Sequence, residues 1–254
     1  MQIGDEPTLY TLFMPRSAFY LLGRVAGAQL RKAKWIWESA TGSEADAIQA
    51  EQSVGRDMAA IVLDETPRDS DQTTQQLLDE IGGKLMAVVR NRLHRFQMTC
   101  VNADRLTAFA LPGGFIFVAR PLVQLCDRDR DEMAFVLGHE MAHVIRRHAI
   151  DRLLKQQVMS AATMVSPGRG ALASWTRQIG FWSLERAYSQ DEEYEADALG
   201  LLLMRAGGFD AAGAIRMLQR LRALDRTPDP LGLGGYLSTH PPIEDRIIRL
   251  RRLG

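Results

Sequence analysis

Across residues 1–92 apolar side chains recur at three- and four-residue intervals, the period of amphipathic helices. From Ser17 to Lys34 the stripe is Phe19, Leu21, Leu22, Val25, Ala28 and Leu30, with Arg24, Arg31, Lys32 and Lys34 elsewhere. Glu44 to Leu63 forms a second helical run, closed by Thr66-Pro67, because the residue before a proline is pushed out of helical geometry. A third runs from about Thr73 to Leu93, with Leu77, Leu78, Ile81, Leu85 and Val88 or Val89 on one side. The period then falls to two. His94 to Val101 alternates, and Leu106 to Leu111 and Phe115 to Ala119 predict strands either side of a Pro112-Gly113-Gly114 turn. From Asp129 the helical period returns and holds nearly to the end, broken at Ser166-Pro167-Gly168, at Gly207-Gly208 and from Thr227-Pro228 to Gly235. The pattern predicts a mainly helical α+β fold with a small sheet embedded among helices. It divides into an N-terminal helical segment, 1–70, packing on a larger domain, 71–254.

Composition narrows the function classes. The 254 residues suffice to bury a real core, and 46% apolar with 24% charged residues is ordinary for a globular protein. Lys and Arg number 31 and so do Asp and Glu, a balance that argues against nucleic acid, whose binding normally needs a basic excess. Two cysteines, Cys100 on a strand and Cys126 on the apolar face of a short helix, are too few for a disulfide framework. The amino terminus lacks the basic start and apolar run of a secretory signal, and no apolar stretch reaches membrane-spanning length. The chain as given therefore reads as soluble: cytoplasmic, or periplasmic or membrane-peripheral if a leader has been removed. Met159 to Trp182 is apolar but interrupted by Pro167-Gly168-Arg169-Gly170, which suggests a lid over a cleft or a patch resting on a membrane surface.

Chemistry enters at His139-Glu140-Met141-Ala142-His143, inside a helical pattern of Met133, Val136, Leu137, Val144 and Ile145. On a helix the two histidines are one turn apart, so both imidazoles project from one face and can hold one metal ion. Glu140, one step round, is placed to reach a water rather than the metal, as a general base requires. Two histidines are one ligand short of a catalytic zinc site. Fifty residues on, Glu193 and Asp197 are again four apart on a predicted helix. One carboxylate can bind the metal while the other accepts the free N–H of a ligating histidine and fixes its orientation. A solvated acidic face is the alternative, since Asp191, Glu192 and Glu195 are acidic too.

With these motifs the chain resembles the HtpX-like and CAAX prenyl endopeptidase-like zinc metallopeptidases, gluzincins, and among them the soluble periplasmic-chaperone-protease type. The resemblance spans roughly residues 75–250. Glu193-Tyr194-Glu195-Ala196-Asp197 is similar to the family's Glu-x-x-Ala-Asp, which implies that Glu193 is the third ligand and Asp197 the residue behind a histidine. Thr107-Ala108-Phe109-Ala110-Leu111-Pro112-Gly113-Gly114 resembles the segment before the metal helix, with Thr107 where the family usually has Asn. An extended peptide could add to such a strand edge, making Ala110, Leu111, Pro112, Gly113 and Gly114 candidates for substrate binding through backbone pairing. Ser238-Thr239-His240-Pro241-Pro242-Ile243-Glu244-Asp245-Arg246 is similar to the family's Ser-x-His-Pro-x-x-x-x-Arg element. It implies His240 near the metal as a removable fourth ligand, although His240 also suits a helix start. Arg246 either steadies a transition-state oxyanion or pairs with an acidic neighbour. The resemblance implies a zincin-like fold, one zinc ion per chain and hydrolysis of peptide bonds in unfolded or misfolded proteins. A zinc-bearing chaperone or binding protein with little proteolysis is the alternative. His94 reads as structural. His148, five residues past His143, reads as off the metal face, in an exposed basic cluster with Arg146 and Arg147. The run Arg246, Arg249, Arg251 and Arg252 reads as a solvated helix end, with contact to an anionic surface as the alternative.

Overall fold

A computed structural model describes residues 43–149, 188–224 and 240–253. The expected Ser17–Lys34 helix, the breaks at Ser166 and Thr227, and the Met159–Trp182 segment lie outside these residues. Helix α1, Glu44–Glu65, starts at a capping box in which the Ser43 and Asp46 side chains each bond the other's backbone N–H, and it ends at Thr66 before Pro67. Helix α2, Gln72–Val88, is capped by Asp71, whose carboxylate accepts from the Thr73 and Thr74 N–H groups. It stops five residues short of the expected Leu93. Val89 is extended, and the Asn91 side chain accepts the Leu93 N–H at 3.0 Å, a local turn that competes with the helix. Leu93, the expected end of the helical run, is 46% exposed.

Strands β1 (Gln97–Val101), β2 (Ala108–Leu111) and β3 (Phe115–Ala119) form a sheet in the order β1-β3-β2. β2 and β3 are an antiparallel hairpin, while β1 runs parallel to β3, with Cys100 opposite Val118. Alternation along the strands sends Met98, Cys100, Ala110, Ile116 and Val118 into one cluster and Val101, Phe109, Leu111, Phe117 and Ala119 into another. The second cluster is closed by Met58, Ala59 and Val62 of α1. Both faces are therefore covered, which is why four consecutive β1 residues are buried where alternation alone suggests a half-exposed strand.

Beyond β3 come α3 (Arg120–Leu125), α4 (Arg130–Ile145), α5 (Gln190–Ala206), α6 (Ala212–Leu224) and α7 (Ile243–Leu253). Cys126 caps α3, and both cysteines are buried free thiols. Helix α4 is buried continuously from Glu132 to Val144, and α2, β2, α5 and α6 all pack on it. Its first turn is anchored by the Asp129 cap and by ion pairs from Arg216 to Asp129 and Arg220 to the buried Glu132, at 3.0 and 2.8 Å. The crossing with α5 is close because two glycines meet: a β-carbon on Gly200 would lie 2.8 Å from the His139 backbone nitrogen. That approach brings the His139–His143 turn of α4 onto the acidic turn of α5.

Candidate metal centre

His139 and His143 share one face of α4, and their Nε2 atoms lie 3.1 Å apart. From α5, Glu193 faces both: its Oε2 is 3.5 Å from His139 Nε2 and its Oε1 is 3.5 Å from His143 Nε2. His240, just before α7, brings its Nε2 to 3.4 Å from Glu193 Oε2. Two overlapping triads result, His139, His143 and Glu193, and His139, Glu193 and His240; the ligand atoms of the second lie within 4.8 Å of one another. The acidic run on α5 is no solvated face, because nearly every carboxylate has its own task. Glu192 closes the capping box with Ser189, Glu193 faces the histidines, Glu195 pairs with Arg146, and Asp197 is buried behind His139.

The donor set fits a metal. Among the described residues neither Glu193 oxygen has a hydrogen-bond partner, although the side chain is buried. Three imidazole nitrogens stand at ion-pair distance without bonding geometry. A buried carboxylate left this way is costly unless a cation completes it. A tetrahedral ion with ligand bonds of about 2.0–2.1 Å holds its donors about 3.3 Å apart, close to the separations just given. Two or three imidazoles and one carboxylate suit zinc among divalent ions. The electrostatics agree. Burial disfavours a charged His139, but Asp197 and Glu193 outweigh it and push its pKa up to about 10, so this point attracts positive charge. His143 moves the other way, held well below the usual histidine range by burial and by His139 beside it.

Behind His139, its Nδ1–H donates to Asp197 Oδ1 at 3.0 Å, leaving Nε2 free for an ion. Asp197 is gripped in turn by Arg246, through Nε at 2.8 Å and Nη2 at 2.7 Å. Arg246 is 1% exposed. Of the two roles open to it, these bonds support pairing with an acidic neighbour over contact with an oxyanion, and they remove Arg246 from the solvated helix end. Arg249 stacks over Tyr194, and Arg251 and Arg252 are exposed. Exchanging Arg246 for Met strands a buried carboxylate, a loss of about 3–5 kcal/mol for a broken buried pair. The expected result is a lower Tm and about 10–100-fold weaker zinc binding, with kcat nearly preserved at saturating zinc. A kcat that collapsed in the zinc-saturated variant would restore the oxyanion role.

Glu140 is buried beside the edge strand, close to the Ala110 backbone. Burial pushes its carboxyl up to about 7. Of the predicted peptide-binding stretch, Ala110, Leu111, Pro112 and Gly114 are buried and Gly113 is half-buried. The turn is packed, not open: Gly113 has φ 74°, and a β-carbon there would lie 2.4 Å from the Gln52 Cα of α1. The cleft beside His139, Glu140 and His240 is lined upstream instead, by Thr107 and Ala108, with Phe135, Met217 and Leu221 as its apolar wall.

His148 is the clearest departure from the sequence reading. It is buried, and its Nδ1 lies 2.9 Å from His143 Nδ1. Helix α4 ends at Ile145 and Arg147 takes a left-handed φ of 62°, so the chain turns back and helical spacing no longer governs where His148 points. Arg147 is held in that turn by Glu51 of α1 at 2.6 Å. Tyr188 stacks on His143 with ring centroids 3.9 Å apart. Neither His148 nor Tyr188 carries a periodic signal by which the sequence could place it here. His94 lies between α2 and β1 and stacks on Phe96, a structural position.

The profile of peptidase family M48 matches residues 72–253. The beta-barrel assembly-enhancing protease of Escherichia coli (strain K12) is 26% identical over 246 residues, 91% of this chain and 49% of that protein. Its Yersinia pestis counterpart is 28% identical over 192 residues, 70% of this chain and 38% of the relative. The mitochondrial metalloendopeptidase OMA1 of Schizosaccharomyces pombe is 30% identical over 161 residues, covering 61% and 46%. The chain thus spans less than half the length of each of these relatives. Among the described residues no helix is long and apolar enough to cross a membrane.

Proposed function

Because the chain belongs to peptidase family M48, we propose that it is a zinc-dependent metalloendopeptidase in which His139, His143 and Glu193 hold one ion and Glu140 is the general base. The two unbonded Glu193 oxygens, facing the imidazole nitrogens of His139 and His143 on either side of Glu140 in the sequence, carry this reading. Zinc, when bound, supplies Lewis acidity toward the scissile carbonyl and makes a water easier to deprotonate. Glu140 takes the proton from the attacking water and returns it to the leaving amine. Asp197, fixed by Arg246, orients His139. Thr107 and Ala108 offer an edge to an extended chain, and pairing through backbone groups is indifferent to sequence, which suits unfolded or misfolded polypeptides.

His240 stands within the same cluster, 3.4 Å from Glu193, and this favours a removable fourth ligand that substrate or water displaces. If it were not displaced, the site would be closed, and the chain would act as a zinc-bearing chaperone with little proteolysis. In this reading residues 1–70 pack as a helical segment on a peptidase domain of 71–254, supported by α1 sealing the Pro112–Gly114 turn and by the family match beginning at residue 72.

The test is cleavage of a permanently unfolded protein by the zinc-loaded chain, by the chelator-stripped chain and by the stripped chain given zinc back. Activity that disappears on stripping and returns with zinc supports the protease. A chain that retains stoichiometric zinc and cleaves nothing, even as His240→Ala, favours the chaperone.

A further inference from the structure

His143 turns Nε2 toward Glu193 and His139, and Nδ1 away from them toward His148. The two Nδ1 atoms are 2.9 Å apart in a buried setting. At that distance one nitrogen must donate and the other accept, since two N–H groups or two lone pairs would repel. A His143 that presents the Nε2 lone pair to a metal carries its proton on Nδ1 and is the donor. His148 then accepts at Nδ1 and bears its own proton on Nε2, which faces Glu195 Oε2 at 3.4 Å. Glu195 is tied to Arg146 at 2.8 Å. The series His143, His148, Glu195, Arg146 thus matches the series His139, Asp197, Arg246 on the other imidazole, but is one residue longer and ends at the surface.

We propose that His148 is a positioning residue that fixes the tautomer and ring orientation of His143, with Glu195 as its anchor. The inference rests on His143 being a metal ligand, as proposed above. It also gives the tight turn after α4 a purpose. The left-handed Arg147, clamped by Glu51, is what returns the next residue to the metal face. A neutral imidazole in this place supports His143 without adding another anion to a centre that already holds Glu193 and Asp197.

The first test uses the unaltered, zinc-loaded chain: proton–nitrogen NMR correlations of the imidazoles should show His143 protonated at Nδ1 and His148 at Nε2. A proton on His148 Nδ1 instead would overturn the assignment. The second measures zinc affinity by competition with a chromogenic chelator. His148→Phe keeps the ring volume and removes the acceptor, and should bind zinc about 10–100-fold more weakly, the usual effect of losing a residue that orients a ligand. His148→Asn places an oxygen where Nδ1 stood and should recover affinity to within a few-fold of wild type. Undiminished affinity in His148→Phe overturns the proposal. Should that variant lose its helical circular dichroism, Glu195→Ala decides, because Glu195 is 45% exposed and its removal spares the fold. A several-fold loss of affinity is expected there, and an unchanged value overturns the relay. A wild-type chain that takes up no zinc would overturn the metal centre and this proposal together, whereas zinc-binding wild type with an indifferent His148→Phe overturns this proposal alone.

Discussion

Glu140→Gln should cut kcat by at least about 10²–10⁴-fold, the range supplied by a positioned general base, while zinc content stays at one ion per chain. The substitution is nearly isosteric, so the packing around this buried side chain survives. What disappears is a proton acceptor. Burial raises the Glu140 carboxyl to about 7, with His139 opposing the rise and Glu193 adding to it. A carboxylate titrating there is matched to taking and returning a proton near neutrality. None of the close approaches among His139, His143, Glu193 and His240 involves Glu140, so the metal should remain. Parallel zinc stoichiometry and single-turnover cleavage check both halves. Normal turnover in the variant would remove Glu140 from the mechanism, and loss of zinc would make it a ligand.

The second large effect belongs to Glu193. Glu193→Ala should lower zinc affinity more than about 100-fold, beyond the range for residues that merely orient a ligand, and abolish cleavage with it. Glu193 supplies both oxygens that face His139 and His143, and is the single carboxylate within either triad. Zinc added to wild type should raise Tm by mass action, since the folded chain binds it and the unfolded chain binds it poorly. In Glu193→Ala that rise should be absent. The two variants separate cleanly: Glu140→Gln keeps the zinc-dependent rise in Tm and loses turnover, whereas Glu193→Ala loses both. A Glu193→Ala chain with wild-type zinc affinity would shift the centre to the three histidines.

The sequence by itself determined whatever depends on spacing within one element. Four residues along a helix put His139 and His143 on one face and Glu193 and Asp197 on another, because 3.6 residues complete a turn wherever that helix sits. Caps at Ser43, Asp71, Asp129 and Ser189, the Pro112-Gly113-Gly114 hairpin and the alternation of the strands are local for the same reason. Which acidic residue meets the histidines is a different matter. Glu192, Glu193 and Glu195 are alike as residues. Glu192 closes the local Ser189 cap, the motif resemblance points to Glu193, and the close crossing of α4 and α5 at Gly138 and Gly200 is what sets Glu193 against the histidines. Tertiary packing also decided that Arg246 grips Asp197, that α1 covers the hairpin turn, and that His148 is buried. In each case the deciding contact joins residues far apart in the chain, or follows a backbone reversal such as Arg147, beyond which helical periodicity no longer predicts direction.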